Sequence, residues 1–153
     1  MNLSTAGDIN FKEIIKQEYI KCSKDPVYFL KKYCMIQHPK KGRMLFNLFP
    51  FQVDMIKDLL EYDYNIVLKS RQLGISTVGG GFALWLMTFH TDKNVLIIAT
   101  KQDVAKNLVT KVRFMYQNLP SWLKEDFVED NRLSLKFKNG SQIKAIASSE
   151  DAG

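Results

Sequence analysis

Seven residues able to contact an anion or a metal, Lys69, Ser70, Arg71, Gln72, Gly74, Ser76 and Thr77, fall within one nine-residue stretch. They follow an apolar run, Ile66-Val67-Leu68, and precede a mostly apolar segment, Val78 to Phe89, long enough for a helix. A phosphate-binding loop needs this order of strand, loop and helix, because loop amides and a helix N-terminus must converge on the anion. The usual spacing of such a loop is G-x-x-x-x-G-K-[ST]. Gly74 takes the second glycine position and Ser76 the hydroxyl position, while Ile75 replaces the lysine and Lys69 stands where the first glycine would be. Ile75 cannot neutralise phosphate, so the charge has to come from Lys69 at the strand end or from Arg71 in the loop. Gly74 permits a tight backbone turn against phosphates. Ser76, with Thr77 beside it, offers a hydroxyl to Mg²⁺. A plain strand-to-helix turn with a Ser/Thr N-cap and a solvated Lys-Arg pair accounts for the same residues, and spacing alone leaves both readings open.

The surrounding pattern supplies elements to hold this loop. Pro50-Phe51-Gln52 opens a helix with Val53, Ile56, Leu59 and Leu60 inward. Gln52 carries an amide that both donates and accepts, as an adenine edge requires; Phe51 packs either on a base or in the core. Gly79-Gly80-Gly81 costs about 1 kcal/mol per glycine inside a helix, so very close packing is expected there, with Trp85 in the core. Val95 to Ala99 reads as a buried parallel strand, with Thr100, Lys101 and Gln102 at its carboxyl end, where open α/β sheets bind ligands. A helix follows from Asp103 to about Asn118, with Val104, Leu108, Val112 and Met115 inward and Lys106, Lys111 and Arg113 outward. Asn139-Gly140 is a hairpin signal between alternating runs around Leu133, Leu135 and Phe137 and around Ile143, Ala145 and Ala147. That hairpin is expected at a sheet edge. Ahead of the loop, residues 1–10 are polar and expected to fray. Phe11 to Ile20 has helical periodicity, and Asp25-Pro26 starts a second helix that runs to about Tyr33. Met44 to Leu48 reads as a short strand.

The chain has 153 residues, 46% hydrophobic and 25% charged, with a net charge of +6, enough for a domain with a sizeable core. Nine basic and four acidic side chains lie in the first fifty residues, so the excess charge sits at the N-terminal end. Lys40, Lys41 and Arg43, around Gly42, form the densest cluster, and Lys31-Lys32 form a smaller one. Such clusters suit a nucleic-acid backbone, and ordinary solvation explains them as well. Cys22 and Cys34 imply no disulfide framework. Cys34-x3-His38 lacks the further ligands of a structural zinc. No carboxylates have metal-site spacing, which speaks against nuclease chemistry here. The longest apolar stretch is too short for a membrane span, and no signal peptide is visible.

The segment KSRQLGIST resembles the variant Walker A loop of the viral large terminase family, the ATP-driven DNA-packaging motors of tailed bacteriophages. Members of that family often carry S-R-Q-x-G, with the lysine after the glycine or, as here, at the start of the motif. Phe51-Gln52 after Pro50 resembles the family's adenine-side segment. Asn139-Gly140-Ser141, followed by Ala147-Ser148-Ser149-Glu150-Asp151-Ala152, resembles the later part of its ATPase core. The resemblance spans about residues 25–153. It implies an α/β P-loop NTPase-type core of the ASCE or RecA-like kind, with a mostly parallel sheet flanked by helices and incomplete at the C-terminus. Residues 1–49 would be a helical and basic-loop lead-in, and residues 50–153 the first part of an ATPase domain ending before Walker B.

The resemblance further implies ATP and Mg²⁺ as cofactors. Gln52, Lys69, Ser70, Arg71, Gln72, Gly74, Ser76 and Thr77 would hold the nucleotide, with Ser76 on Mg²⁺. Lys69 and Arg71 would be catalytic, Lys69 as the principal phosphate lysine and Arg71 acting in cis on developing charge. The parent protein would couple ATP hydrolysis to translocation of double-stranded viral DNA, with a nuclease domain elsewhere. Its partners would be a portal protein, a small terminase subunit and further copies in a ring, with no membrane, in the host cell cytoplasm. These residues alone, lacking an acidic strand end, would hydrolyse essentially no ATP. Two other classes fit the residues: another P-loop nucleic-acid translocase or helicase, and a non-catalytic DNA- or protein-binding module with a vestigial loop.

Overall fold

A helix that is apolar on almost every side has to lie inside the molecule, and the segment after Gly74 does. The structure, a computed structural model, describes residues 5–148. Its elements are α1 (Thr5–Lys24), α2 (Pro26–Tyr33), β1 (Met35–His38), β2 (Gly42–Leu45), α3 (Pro50–Glu61), α4 (Ile75–Phe89), β3 (Asn94–Ala99) and α5 (Gln102–Gln117). A 3₁₀ turn at Ser121–Leu123 leads to β4 (Phe127–Asp130), β5 (Ser134–Phe137) and β6 (Gln142–Ala147). Helix α4 buries Val78, Ala83, Leu84, Trp85 and Met87, as its composition requires. Two of its three consecutive glycines admit neighbours. A Cβ on Gly81 would stand 2.6 Å from Leu30 Cδ2 of α2, and one on Gly80 would stand 3.2 Å from Val112 Cγ2 of α5. Gly79 faces open space, so the close packing expected of all three is confined to two.

Trp85 is a core residue, and its Nε1 donates to the Cys22 carbonyl at 2.8 Å, which ties the end of α1 to α4. Cys22 and Cys34 are free and buried, and desolvation pushes the Cys22 thiol up to about 12. Asp25 caps α2 by accepting from the Tyr28 amide at 3.0 Å, with Pro26 in the first turn. Farther from this junction α1 leaves Phe11 and Ile14 exposed. Lys32 is held by Glu18 at 2.7 Å, so an intramolecular partner engages it.

The expected mostly parallel sheet does not form. The strand order is β3-β6-β5-β4, in which β3 and β6 run parallel and the other pairs antiparallel, and β1-β2 makes a separate antiparallel hairpin. The Asn139-Gly140 turn does join β5 to β6, but β6 is interior, because its other edge accepts β3 from Asn94↔Gln142 to Ala99↔Ala147. The turn is anchored below α4. Asn139 Nδ2 donates to the Met87 carbonyl at 2.7 Å, and buried Ser141 donates to the His90 carbonyl at 2.7 Å. Leu135, Phe137, Ile143 and Ala145 are buried on one sheet face, against which α5 packs. Leu96 and Ile98 on the other face are exposed, so β3 is buried on one side only and not on both.

Ile66-Val67-Leu68 is not a strand, and Ile66 and Leu68 are fully exposed. Its apolar residues have strand character, yet a strand exists only where a neighbouring edge takes its N–H and C=O groups, and none among the described residues does. The inward face of α5 is also centred later than expected. Ala105, Val109, Val112, Met115 and Tyr116 are buried, whereas Val104 is exposed. In α3, Leu60 is exposed and Ile56 is the buried apolar residue.

Two outcomes are expected in solution. Glu18 accepts from Lys32 at 2.7 Å, Tyr33 at 2.6 Å and Tyr28 at 2.9 Å, which holds its carboxyl at about 2 against an ordinary value of 4.5. A depressed folded value gives stability that is complete above the unfolded value and lost as pH falls through the folded one. Urea midpoints of Glu18→Gln should therefore lie below wild type at neutral pH, with the gap closing on acidification from about 4.5 towards about 2. Gly79→Ala should raise stability by up to about 1 kcal/mol, and Gly81→Ala should be less stable than Gly79→Ala because Leu30 is fully buried and has no room to yield.

Candidate phosphate-binding groove

The loop before α4 is shaped by one glutamine from α3. Phe49 is the N-cap of that helix and Pro50 its first residue, so the Phe49 amide needs a partner. Gln52 Oε1 accepts it at 3.0 Å. The other end of the same amide, Nε2, donates to the Leu73 carbonyl at 2.9 Å, across 21 residues of sequence. Gln52 is 2% exposed, so its amide is committed at both ends. Next to Leu73, Gly74 has φ +71° and begins α4. A Cβ there would stand 2.8 Å from Gln52 Nε2, so glycine is required by backbone angle and by space alike. Gln72 also lies in the left-handed region, at φ +63°. Turn backbone of this kind can present successive N–H groups to an anion.

Among the described residues no side chain caps the N-terminus of α4; the Gly74 carbonyl takes the Thr77 and Val78 amides, which leaves those of Ile75 and Ser76 at a groove of about 920 Å³ that both residues line. The β1-β2 hairpin, the start of α3, the loop, the first turn of α4 and Lys111 of α5 line it. Its basic residues are His38, Lys41, Lys69 and Lys111, drawn from three separate parts of the chain, and among the described residues no Asp or Glu lines it. Positive charge from side chains and helix terminus together favours an anionic ligand.

Of the residues singled out in the sequence, Gln52, Lys69, Gln72, Gly74, Ser76 and Thr77 meet at this groove. Ser70 and Arg71 are exposed and do not line it. Thr100, Lys101 and Gln102 sit at the end of β3 and the start of α5, outside its lining. The basic cluster of the hairpin divides. His38 Nδ1 accepts the amides of Lys40 and Lys41 at 3.2 and 3.1 Å, Lys41 lines the groove, and the Arg43 guanidinium lies 6.0 Å from the Phe114 ring. Phe51 stacks on Phe49, also a groove residue, at 5.8 Å between centroids. Glu150 and Asp151 lie outside the described residues.

Sequence spacing misses His38, Phe49 and Lys111. Lys111 reads there as one of several lysines on the outer face of a helix, whereas its Nζ lies 3.3 Å from Thr77 Oγ1 in the first turn of α4. Among the described residues no three His, Cys, Asp or Glu side chains could hold a metal ion together, and no helix is long and apolar enough to cross a membrane.

The family model described as "Terminase large subunit, T4likevirus-type, N-terminal" matches residues 66–153. The match takes in the loop, α4, α5 and the whole four-stranded sheet. Gln52 and the β1-β2 hairpin, which complete the groove, precede it.

Gln52→Glu separates the two duties of the amide. The carboxylate still accepts the Phe49 amide but cannot donate to the Leu73 carbonyl. The variant should lose about 1–3 kcal/mol of stability, and hydrogen exchange should rise in residues 72–77 while α3 stays protected. Unchanged exchange in the loop would show that the bond to Leu73 does not order it.

Proposed function

The chain belongs to the T4-like terminase large-subunit family of DNA-packaging proteins, and on that premise we propose that the groove binds the phosphates of ATP. The observation that carries this reading is the groove's composition: lysines from three parts of the chain and the uncapped start of α4, with no carboxylate among the described residues that line it. Gly74 contributes the turn into α4 at φ +71°, and its missing Cβ admits the Gln52 amide that holds the loop. Residues 66–77 are read as the phosphate loop of a P-loop ATPase core.

In this reading Lys69 offsets phosphate charge, and the amides at the head of α4 donate to phosphate oxygens. The Ser76 hydroxyl is the oxygen this chain offers to Mg²⁺. Bound there with ATP, Mg²⁺ would supply neutralisation of phosphate charge. Arg71, exposed beside the loop, is available to offset charge developing in the transition state. Gln52 orders the loop through Leu73, and any contact with adenine is secondary because both ends of its amide are engaged. Phe49, stacked on Phe51, is then an aromatic surface of the groove available to a base. These residues bind and neutralise; among the described residues lining the groove none is a carboxylate placed to activate water.

In the whole protein we assign ATP hydrolysis to driving double-stranded DNA, with portal, small subunit and further copies of the chain as partners in the host cytoplasm. Calorimetric titration of the 153-residue chain with MgATP, ADP and adenosine tests the site. MgATP should bind at least about tenfold tighter than adenosine, and added salt should narrow that gap. Lys69→Ala should remove most of it without changing the circular dichroism spectrum. Equal affinity for MgATP and adenosine would sink the phosphate reading.

A further inference from the structure

We propose that Lys111 of α5 is a second phosphate-binding cation of this groove, standing in for the lysine that Ile75 displaces from the loop. The inference rests on the reading of the groove as a triphosphate site, and its support is the geometry around α5. Helix α5 lies close to α4 because Gly80 has no side chain, and Val112 occupies the space left. That approach carries the preceding residue, Lys111, to the first turn of α4, where its Nζ lies 3.3 Å from Thr77 Oγ1. A cation at a helix N-terminus is unfavourable in itself, because the positive end of the macrodipole faces it. The placement becomes favourable once an anion lies between the ammonium and the helix.

The charge balance along α5 supports the same conclusion. Lys106 pairs with Asp103 at 3.9 Å, and Arg113 pairs with Asp130 at 2.7 Å. Lys111 stands between them in sequence and forms no ion pair among the described residues; its one side-chain partner is the neutral Thr77 hydroxyl. It also borders both the 920 Å³ groove and a neighbouring cavity of about 450 Å³ between β1 and α5. Lys69 is likewise shared, between the groove and a cavity along α3. The two lysines therefore line one groove from different elements, a placement that suits a ligand carrying more than one phosphate. The ligand class this selects is a nucleoside di- or triphosphate, with discrimination by phosphate count.

The test is calorimetric binding of MgATP, ADP and adenosine to the intact chain and to Lys111→Ala, Lys111→Arg and Lys69→Ala, with thermal melts of each protein without nucleotide. Lys111 is exposed, so its variants should melt close to wild type. Lys111→Ala should weaken MgATP by about tenfold, the scale of one charge-assisted hydrogen bond, while leaving adenosine unchanged. Lys111→Arg should restore most of the loss. If wild type and Lys111→Ala bind MgATP equally while Lys69→Ala binds it more weakly, Lys111 is not a ligand and the groove reading survives. If wild type binds MgATP no better than adenosine, both the groove reading and the role of Lys111 fall.

Discussion

The amide of Gln52 is the contact on which the loop's geometry depends. One end completes the start of α3 and the other holds the Leu73 carbonyl, so a single planar group fixes the distance between a helix terminus and a turn 21 residues away. Buried polar groups are costly unless both donor and acceptor are satisfied, and here the protein satisfies them with two backbone partners, one at the start of α3 and one in the loop. Gly74 follows from this arrangement, since any side chain would collide with the amide. The direction in which α4 leaves the loop follows in turn, because the Gly74 carbonyl accepts the Thr77 and Val78 amides at 3.0 Å each.

Helix α4 then transmits that direction to the rest of the chain. Its glycines bring α2 and α5 close, its Trp85 holds the end of α1, and its last turn receives the Asn139 and Ser141 side chains from below. The groove is consequently not a property of the loop alone. Its floor is the loop and the head of α4, while its cations come from a hairpin and from α5 as well as from the loop's own Lys69. A loop without lysine at its usual position can still face an anion, because packing between helices brings charge in from outside the motif.

The sheet shows the opposite situation, in which local character does not find its partner. Leu96, Ile98, Ile66 and Leu68 are as apolar as any core residue, yet they are exposed. Helices cover one face of the four-stranded sheet, β3 keeps a free edge, and the run before the loop has no ladder among the described residues. Apolar sequence supplies the tendency to pair and to be covered, and the neighbouring element decides whether either happens.

Local pattern was sufficient for the elements whose stability is decided within a few residues. The Asp25-Pro26 start, the helix after Gly74, the core placement of Trp85 and the Asn139-Gly140 turn all depend on caps, turn chemistry and periodicity, which are written along the chain. So was the collection of loop residues Lys69, Gln72, Gly74, Ser76 and Thr77, since a loop leading into a helix holds them together covalently. Tertiary structure alone decided the rest. It set the mixed order of the sheet, because register and direction depend on which edge is free. It turned Gln52 from a group available to a base into a tether, because only folding brings Leu73 to its amide. It also selected Lys111 from several lysines on one helix, because the distance from that ammonium to Thr77 is set by Gly80 and Val112 where two helices cross, and no spacing along the sequence encodes it.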